Sequence, residues 1–157
     1  MVDVLEQPGL RRSVRWARAD ADPTPLLGLE WLVTNGVGGY ASGTLAGVAT
    51  RRYHGFLVSA LPVHGRTLML NHLLEEVRLA DGTRVWLGGE ERPGELEVHA
   101  AHLLDFSLEL GLPLWRYEVN GTVIERRVLM PHGQNTVHVS YRVADGHGPV
   151  RLRLHPA

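Results

Sequence analysis

Two short turn sequences, Asp81-Gly82 and Asn120-Gly121, constrain the fold of this chain more than any other feature. Each lies between two runs in which apolar and polar residues alternate, within residues 76–87 and 114–130. Asn and Gly tolerate the positive φ angles of tight hairpin turns, and a period of two is typical of half-buried strands. The sequence therefore predicts an antiparallel hairpin at each position.

A third alternating pair follows further along the chain. Residues 137–143 and 150–154 both alternate, and the turn sequence DGHGP lies between them, so a third hairpin is expected. After residue 30 no segment sustains a 3.6-residue period for three turns. The predicted fold class is all-β, a mostly antiparallel β-sandwich (supersandwich) built from serial hairpins with little helix.

The N-terminal part of the chain has a different composition. Prolines, glycines and arginines dominate residues 1–28, which predicts an irregular segment with at most a short helix around residues 10–19. Residues 29–157 are expected to form the β-sandwich domain. Because the chain ends in VRLRLHPA, just after an alternating strand, we expect this domain to be the N-terminal module of a longer protein.

Composition excludes several functions. A formal net charge of -1 gives no general attraction to nucleic acid or to an anionic membrane. The chain has no cysteine, which rules out disulfides and thiolate zinc sites. It also has no signal-peptide pattern and no apolar run approaching 18 residues, so a cytoplasmic location without membrane or nucleic-acid partners is expected.

The glycine-rich stretch TNGVGGYASGTLAGVATRRYHG, residues 34–55, formally contains a dinucleotide fingerprint, G-x-G-x-x-A. That fingerprint needs a following helix and an acidic residue about 20 positions on. Gly43, Gly47 and β-branched residues oppose a helix here, and no acidic residue lies between Glu30 and Glu75. A P-loop needs a lysine, which the chain lacks. No cofactor is therefore expected.

Metal-binding and hydrolytic patterns are also weak. His99 and His102 are three residues apart, but no clear third ligand accompanies them, so no metal site is expected. Glu75 and Glu76 are adjacent and would point to opposite faces of a strand. Glu90 and Glu91 lie in a glycine-rich loop, and no carboxylate pair has the arrangement that glycoside hydrolysis needs. No catalytic residue is predicted.

The four residues Arg51, Arg52, Tyr53 and His54 form a dense group of hydrogen-bonding side chains. On a strand, Arg51 and Tyr53 would share one face and Arg52 and His54 the other. The group is either a solvated edge or a surface that donates hydrogen bonds to a hydroxyl-rich ligand or to another domain.

Three blocks of sequence carry a resemblance to a known family. Glu30-Trp31-Leu32, then 34–44 (TNGVGGYASGT) and then 50–57 (TRRYHGFL) closely resemble the N-terminal domain of bacterial and archaeal glycogen debranching enzymes. The resemblance implies a β-sandwich placed before an (α/α) barrel that carries the acid and base carboxylates for α-1,6-glucosidic branch points. The chain alone would then be an accessory, structural domain without hydrolase activity.

The resemblance also implies partners: glycogen or a related α-glucan, and the C-terminal barrel domain. Without that barrel, some of Trp31, Trp86, Trp115, Leu112 and Leu114 would be exposed, and the isolated chain would self-associate. The alternative is a free-standing carbohydrate-binding or protein-interaction module. The residues expected to bind substrate or to face the other domain are Asn35, Gly36, Gly38, Gly39, Tyr40, Arg51, Arg52, Tyr53 and His54.

Overall fold

A computed structural model describes residues 2–7, 11–16, 22–92 and 95–157. These residues form an all-β, antiparallel structure, which confirms the predicted fold class. One four-residue α-helix, α1 (Thr24–Leu27), and one 3-10 turn, Ala100–His102, accompany the strands in the described residues. The strands are β1 (Val2–Gln7), β2 (Arg11–Trp16), β3 (Glu30–Thr34), β4 (Tyr40–Thr44), β5 (Gly55–Leu61), β6 (Gly65–Leu70), β7 (Leu73–Arg78), β8 (Arg84–Arg92), β9 (Glu95–His99), β10 (Leu103–Glu109), β11 (Leu112–Val119), β12 (Thr122–Leu129), β13 (His138–Asp145) and β14 (Arg151–Pro156).

The strands of the described residues build three sheets. The six-stranded sheet has the order β1-β2-β10-β11-β12-β13. The β3–β6 sheet runs β3-β4-β5-β6, and the β14–β9 sheet runs β14-β7-β8-β9. Every pairing is antiparallel, as expected when short turns connect most neighbouring strands.

An aromatic cluster joins the six-stranded sheet to the β3–β6 sheet. Trp115 of β11 is fully buried, and its ring centroid lies 5.3 Å from that of Trp31 on β3 and 5.0 Å from that of Phe106 on β10. Phe56 of β5 extends the cluster, 5.7 Å from Trp31. Each edge-to-face pair contributes about 0.5–1.5 kcal/mol beyond its buried area. This cluster fixes the β3–β6 sheet, whose opposite face carries the candidate site.

Both hairpins predicted from turn chemistry are confirmed. β7 pairs with β8 around the turn at 79–83, and β11 pairs with β12 around Asn120-Gly121. Asn120 and Gly121 have φ angles of 46° and 77°, as a type I′ turn requires. Local turn chemistry was sufficient here because the paired strands are neighbours in sequence.

The predicted third hairpin is wrong. β13 pairs with β12 and β14 pairs with β7, so the connection at 146–150 crosses from one sheet to another. Alternation identified both strands correctly but could not identify their neighbours. Gly146 and Gly148 have φ angles of 118° and 88°, and they serve this longer crossing rather than a two-residue turn.

The N-terminal segment also differs from the prediction of irregular structure. β1 pairs with β2, which joins the six-stranded sheet through β10, and residues 11–16 are a strand rather than part of a helix. The rest of the predicted helix, residue 10 and residues 17–19, lies outside the described residues. Val14 packs against the core, which gives this strand its buried side. The proline and arginine content of this segment concealed Val14, an apolar residue at a position where the sheet needs one.

The five apolar residues considered for an exposed patch divide into two groups. Trp31 and Trp115 are buried in the core, and Leu114 is also buried. Trp86 and Leu112 are each 38% exposed. Burial depends on which sheet covers a strand face, and that cannot be read from alternation alone.

Candidate functional site

An open groove of about 610 Å³ lies on the outer face of the β3–β6 sheet. Leu32 and Thr34 of β3 point to this face, while Trp31 and Val33 point to the core. Alternation along β3 therefore gives one face of the strand to the groove and the other to the core. The residues that line the groove are Glu30, Trp31, Leu32, Thr34, Gly36, Gly38, Gly39, Tyr40, Ser42, Tyr53 and Arg66.

Asn35 organises the loop at one end of the groove. Its side chain is fully buried, and its Oδ1 accepts hydrogen bonds from the backbone N–H groups of Val37 (3.0 Å) and Gly39 (2.8 Å). Its Nδ2 donates to the Gln134 carbonyl (3.0 Å) and to Asn135 Oδ1 (3.1 Å). Because this amide is fully satisfied within the protein, Asn35 shapes the groove rather than offering a hydrogen bond to a ligand.

The glycines of this loop permit close packing against residues 131–135. A Cβ on Gly36 would lie 2.4 Å from His132 Nδ1, and one on Gly39 would lie 2.5 Å from Asn35 Nδ2. Gly36 and Gly38 also have φ angles of 75° and 97°. The loop therefore needs glycine for steric and conformational reasons, independent of any phosphate.

The carboxylate of Glu30 is the centre of a polar cluster at the other end of the groove. Arg51 Nε donates to Glu30 Oε1 at 3.1 Å, and Tyr53 Oη donates to Oε2 at 3.4 Å. The hydrogen bond from Arg51 holds the pKa of Glu30 below its usual range, so this carboxylate is ionised at neutral pH.

Residues 51–54 form a turn rather than the strand geometry considered from the sequence. The backbone N–H of His54 donates to the Arg51 carbonyl at 2.9 Å, which closes the turn. Because of this turn, Arg51, Tyr53 and His54 all approach Glu30 instead of alternating between two faces. Arg52 is exposed and forms no hydrogen bond or ion pair among the described residues.

The buried imidazole of His54 stabilises this turn through hydrogen bonds to its backbone. It is 1% exposed, and its Nδ1 accepts hydrogen bonds from the backbone N–H groups of Thr50 (3.1 Å) and Arg51 (3.2 Å). This assigns the ring proton to Nε2, which lies 3.5 Å from Glu30 Oε1. Burial lowers the pKa of His54 despite the opposing effect of Glu30, so the imidazole is neutral at pH 7.

Tyr40 and Arg66 complete the wall of the groove. Tyr40 Oη donates to the Tyr53 carbonyl at 3.0 Å, which connects β4 to the turn. The Arg66 guanidinium lies 5.7 Å from the centroid of the Tyr40 ring, and its Nε donates to the Gly38 carbonyl at 3.2 Å. An aromatic ring, a guanidinium and an ionised carboxylate thus face one open space.

Comparison with known proteins places this architecture in a family. The family described as glycogen debranching enzyme N terminal matches residues 29–157, more than half of the chain. The chain belongs to this family. Searches of curated proteins and of solved structures gave no match.

The predicted site residues of this debranching-enzyme N-terminal domain occupy different positions around the groove. Gly36, Gly38, Gly39, Tyr40 and Tyr53 line it. Arg51 and His54 contact Glu30 behind the lining, Asn35 is buried under the loop, and Arg52 lies outside.

Sequence reasoning missed Glu30, Leu32 and Arg66 as groove residues. Glu30 and Leu32 occupy alternate, exposed positions of β3, which was a detectable signal once the strand was assigned. Arg66 pairs with Ala60 on β5, and Tyr40 pairs with Val58 two residues away, so Arg66 reaches the groove only through the pairing of β4, β5 and β6. No local pattern indicates that position.

A buried ion pair in this debranching-enzyme domain was also missed. Glu75 is fully buried, and Arg126 Nη1 donates to both of its carboxylate oxygens, at 3.1 and 2.8 Å. The Tyr141 hydroxyl donates to Glu75 as well, and the Arg126 guanidinium lies 4.0 Å from the Trp115 ring centroid. Burial opposes the charge of Arg126, but Glu75 outweighs this effect and raises its pKa.

Two further observations concern metal ligands and membrane-spanning helices. Within the described residues, no three His, Asp or Glu side chains are placed to hold a metal ion, and His102 instead contacts the Glu118 carbonyl at 3.2 Å. The α-helix in the described part of the chain has four residues, too few to cross a bilayer, and no longer helix is found there.

The neutral state of His54 predicts acid sensitivity. The folded-state pKa lies below the ordinary value of 6.5, so the unfolded chain binds the proton more readily between those two pKa values. Stability should be complete above about pH 6.5 and fall as the pH decreases through this window. Urea unfolding between pH 7.5 and 5 measures the slope. In His54→Asn, which keeps a side-chain acceptor, the slope should be smaller; an unchanged slope would contradict this assignment.

Proposed function

We propose that this domain binds a segment of α-glucan in the groove of the β3–β6 sheet and holds it against a catalytic domain of the same enzyme. The observation that carries the proposal is the composition of the groove. Tyr53 is 53% exposed and Tyr40 half-buried, and both rings suit the C–H face of a sugar. The ionised Glu30 and the Arg66 guanidinium supply the acceptor and donors that vicinal hydroxyls need.

The groove is built for binding and not for hydrolysis. Glycoside hydrolysis needs two carboxyl groups that flank the scissile bond, about 5–9.5 Å apart. Glu30 is the sole carboxylate among the residues that line the groove. We therefore expect the purified chain to release no glucose from a limit dextrin, and the acid and base to come from another domain.

Exposed apolar residues beside the groove support an interdomain role. Leu32 and Leu68 are 57% and 49% exposed and lie on the same face of the β3–β6 sheet. Leu32 lines the groove and Leu68 does not, so exposed apolar side chains extend from the groove across this face and suit contact with a second domain that closes over the ligand. A free-standing binding module would share the groove but would not need this apolar margin.

Titration of the domain with maltoheptaose, followed by backbone amide shifts, tests the proposal. Shifts should concentrate on β3, β4 and the turn at 50–54, and Tyr53→Ala should weaken binding by about fivefold or more because a stacked ring is lost. Leu129→Ala is the matched control, since Leu129 is similarly apolar and 37% exposed but lies on the six-stranded sheet. Equal binding by both variants, or shifts confined to another sheet, would refute the proposal.

A further inference from the structure

The outer face of the β14–β9 sheet carries three arginines side by side. Arg151 of β14 is paired with Arg78 of β7, and Arg78 is paired with Arg84 of β8. Residues directly opposite in an antiparallel pair have Cβ atoms about 4.5–5.5 Å apart and point to the same face. All three side chains are exposed, so three guanidiniums form a continuous row across three strands.

This row is not neutralised by the protein. The next row toward the other end of the strands contains Arg153 opposite Glu76, and Arg153 Nη1 donates to Glu76 Oε2 at 3.2 Å. The patch thus contains one carboxylate, that of Glu76, and four guanidiniums. Among the described residues, Arg78, Arg84 and Arg151 form no ion pair. Like charges directly opposite each other on a sheet are destabilising, so the arrangement costs stability unless an anion binds there.

The shape of the patch limits the size of that anion. Glu76, Arg78, Arg84, Arg151 and Arg153 surround a depression of about 40 Å³. Three strands about 4.8 Å apart span roughly 10 Å, which suits one compact charged group rather than a polymer backbone. A formal net charge of -1 for the whole chain likewise gives no general attraction to polyanions.

An aromatic residue borders the depression. Trp86 is opposite Glu76 and two residues from Arg84, so its side chain lies on the same face as the arginines. Its ring is 38% exposed and its centroid is 5.2 Å from the His155 ring. A planar apolar surface beside a cationic pocket matches a ligand with a sugar ring and an attached anionic group.

We propose that this arginine patch binds a phosphorylated sugar, with Arg78, Arg84 and Arg151 around the phosphate group and Trp86 against the sugar ring. Guanidinium forks suit phosphate oxygens, and a doubly charged phosphate monoester relieves the repulsion within the row better than a single carboxylate does. The patch lies on a different sheet from the β3–β6 groove, and its assignment does not depend on glucan binding there.

Calorimetric titration with glucose 6-phosphate and with inorganic phosphate tests this assignment. Sodium chloride at the same ionic strength is the control for non-specific binding of anions. Both phosphates should bind, and glucose 6-phosphate should bind more tightly. Chloride at the same ionic strength should not displace either of them. Arg84→Gln should weaken both by about tenfold, because a charge-assisted hydrogen bond is lost. Trp86→Ala should reduce the affinity for glucose 6-phosphate to that for inorganic phosphate.

The matched control is Arg142→Gln. Arg142 is 68% exposed and is neutralised by Glu125 at 2.8 Å, so its loss changes net charge equally without touching the patch. Binding should be unchanged in this variant, and thermal melting of Arg84→Gln without ligand should show that it folds. Equal weakening in Arg142→Gln and Arg84→Gln, or no phosphate binding beyond chloride, would overturn the site. Equal affinity for the two phosphates in the wild type would overturn the assignment to a sugar.

Discussion

Replacing Arg126 with methionine should lower the free energy of unfolding by about 3–5 kcal/mol, the cost of leaving a buried carboxylate without its charged partner. Glu75 is fully buried and has one guanidinium and one phenol as its donors. The Tyr141 hydroxyl would then be its remaining partner. Stacking of the guanidinium on Trp115 would be lost as well. Urea unfolding at pH 7 measures the effect.

Arg153→Met is the matched control for this prediction. Arg153 makes the same kind of contact with Glu76, at 3.2 Å, but its side chain is 67% exposed. Exposed ion pairs contribute about 0–1 kcal/mol, so this variant should be close to the wild type. The double variant Arg126→Met/Glu75→Gln should recover part of the loss, because the unpaired charge is removed. Equal losses for Arg126→Met and Arg153→Met would contradict the account.

Replacing Asn35 with alanine should cost about 3 kcal/mol and deform the groove. The substitution removes four side-chain hydrogen bonds. Two of them satisfy backbone N–H groups of the loop, and each buried donor left unpaired costs about 1–3 kcal/mol. The loop at 35–39 would then lose its connection to residues 134–135. Urea unfolding gives the stability change, and backbone amide shifts of β3 and β4 report the change in the groove.

Asn71→Ala is the matched control, because it makes the same chemical change at a position with fewer hydrogen bonds and less burial. Among the described residues, the Asn71 side chain makes one hydrogen bond, between its Nδ2 and His72 Nδ1 at 3.3 Å, and it is only half-buried. Its loss should cost about 1 kcal/mol, within the range for a single hydrogen bond. If the two variants were equally stable, Asn35 would not be the organiser of the loop.

The parts of the fold that follow from neighbouring residues could be predicted from the sequence. The turns at Asp81-Gly82 and Asn120-Gly121 determine their hairpins because the backbone angles of two or three residues decide the pairing. The same reasoning failed for β13 and β14. Their alternation is clear, but β14 pairs with β7, more than 70 residues away in sequence, through contacts that no local pattern records.

In the candidate site, too, some residues could be predicted from local sequence and others could not. The glycines, Tyr40 and residues 51–54 stood out because their composition is unusual within a short stretch. Glu30 did not, because an exposed position on a strand does not show which distant side chains will meet it, yet Arg51, Tyr53 and His54 all converge on it. Arg66 was missed for the same reason.

By itself, the sequence determined an all-β antiparallel fold, two hairpins, the family and the segments from which the groove is built. These properties depend on periodicity, turn angles and local composition, which short stretches of chain carry in full. The tertiary structure decided which strands are neighbours, which tryptophans are buried, and which charges meet. It brought Glu75 to Arg126 and Glu30 to Arg51, and it placed Arg78, Arg84 and Arg151 in one row, because such contacts exist only once separate strands have been paired and packed.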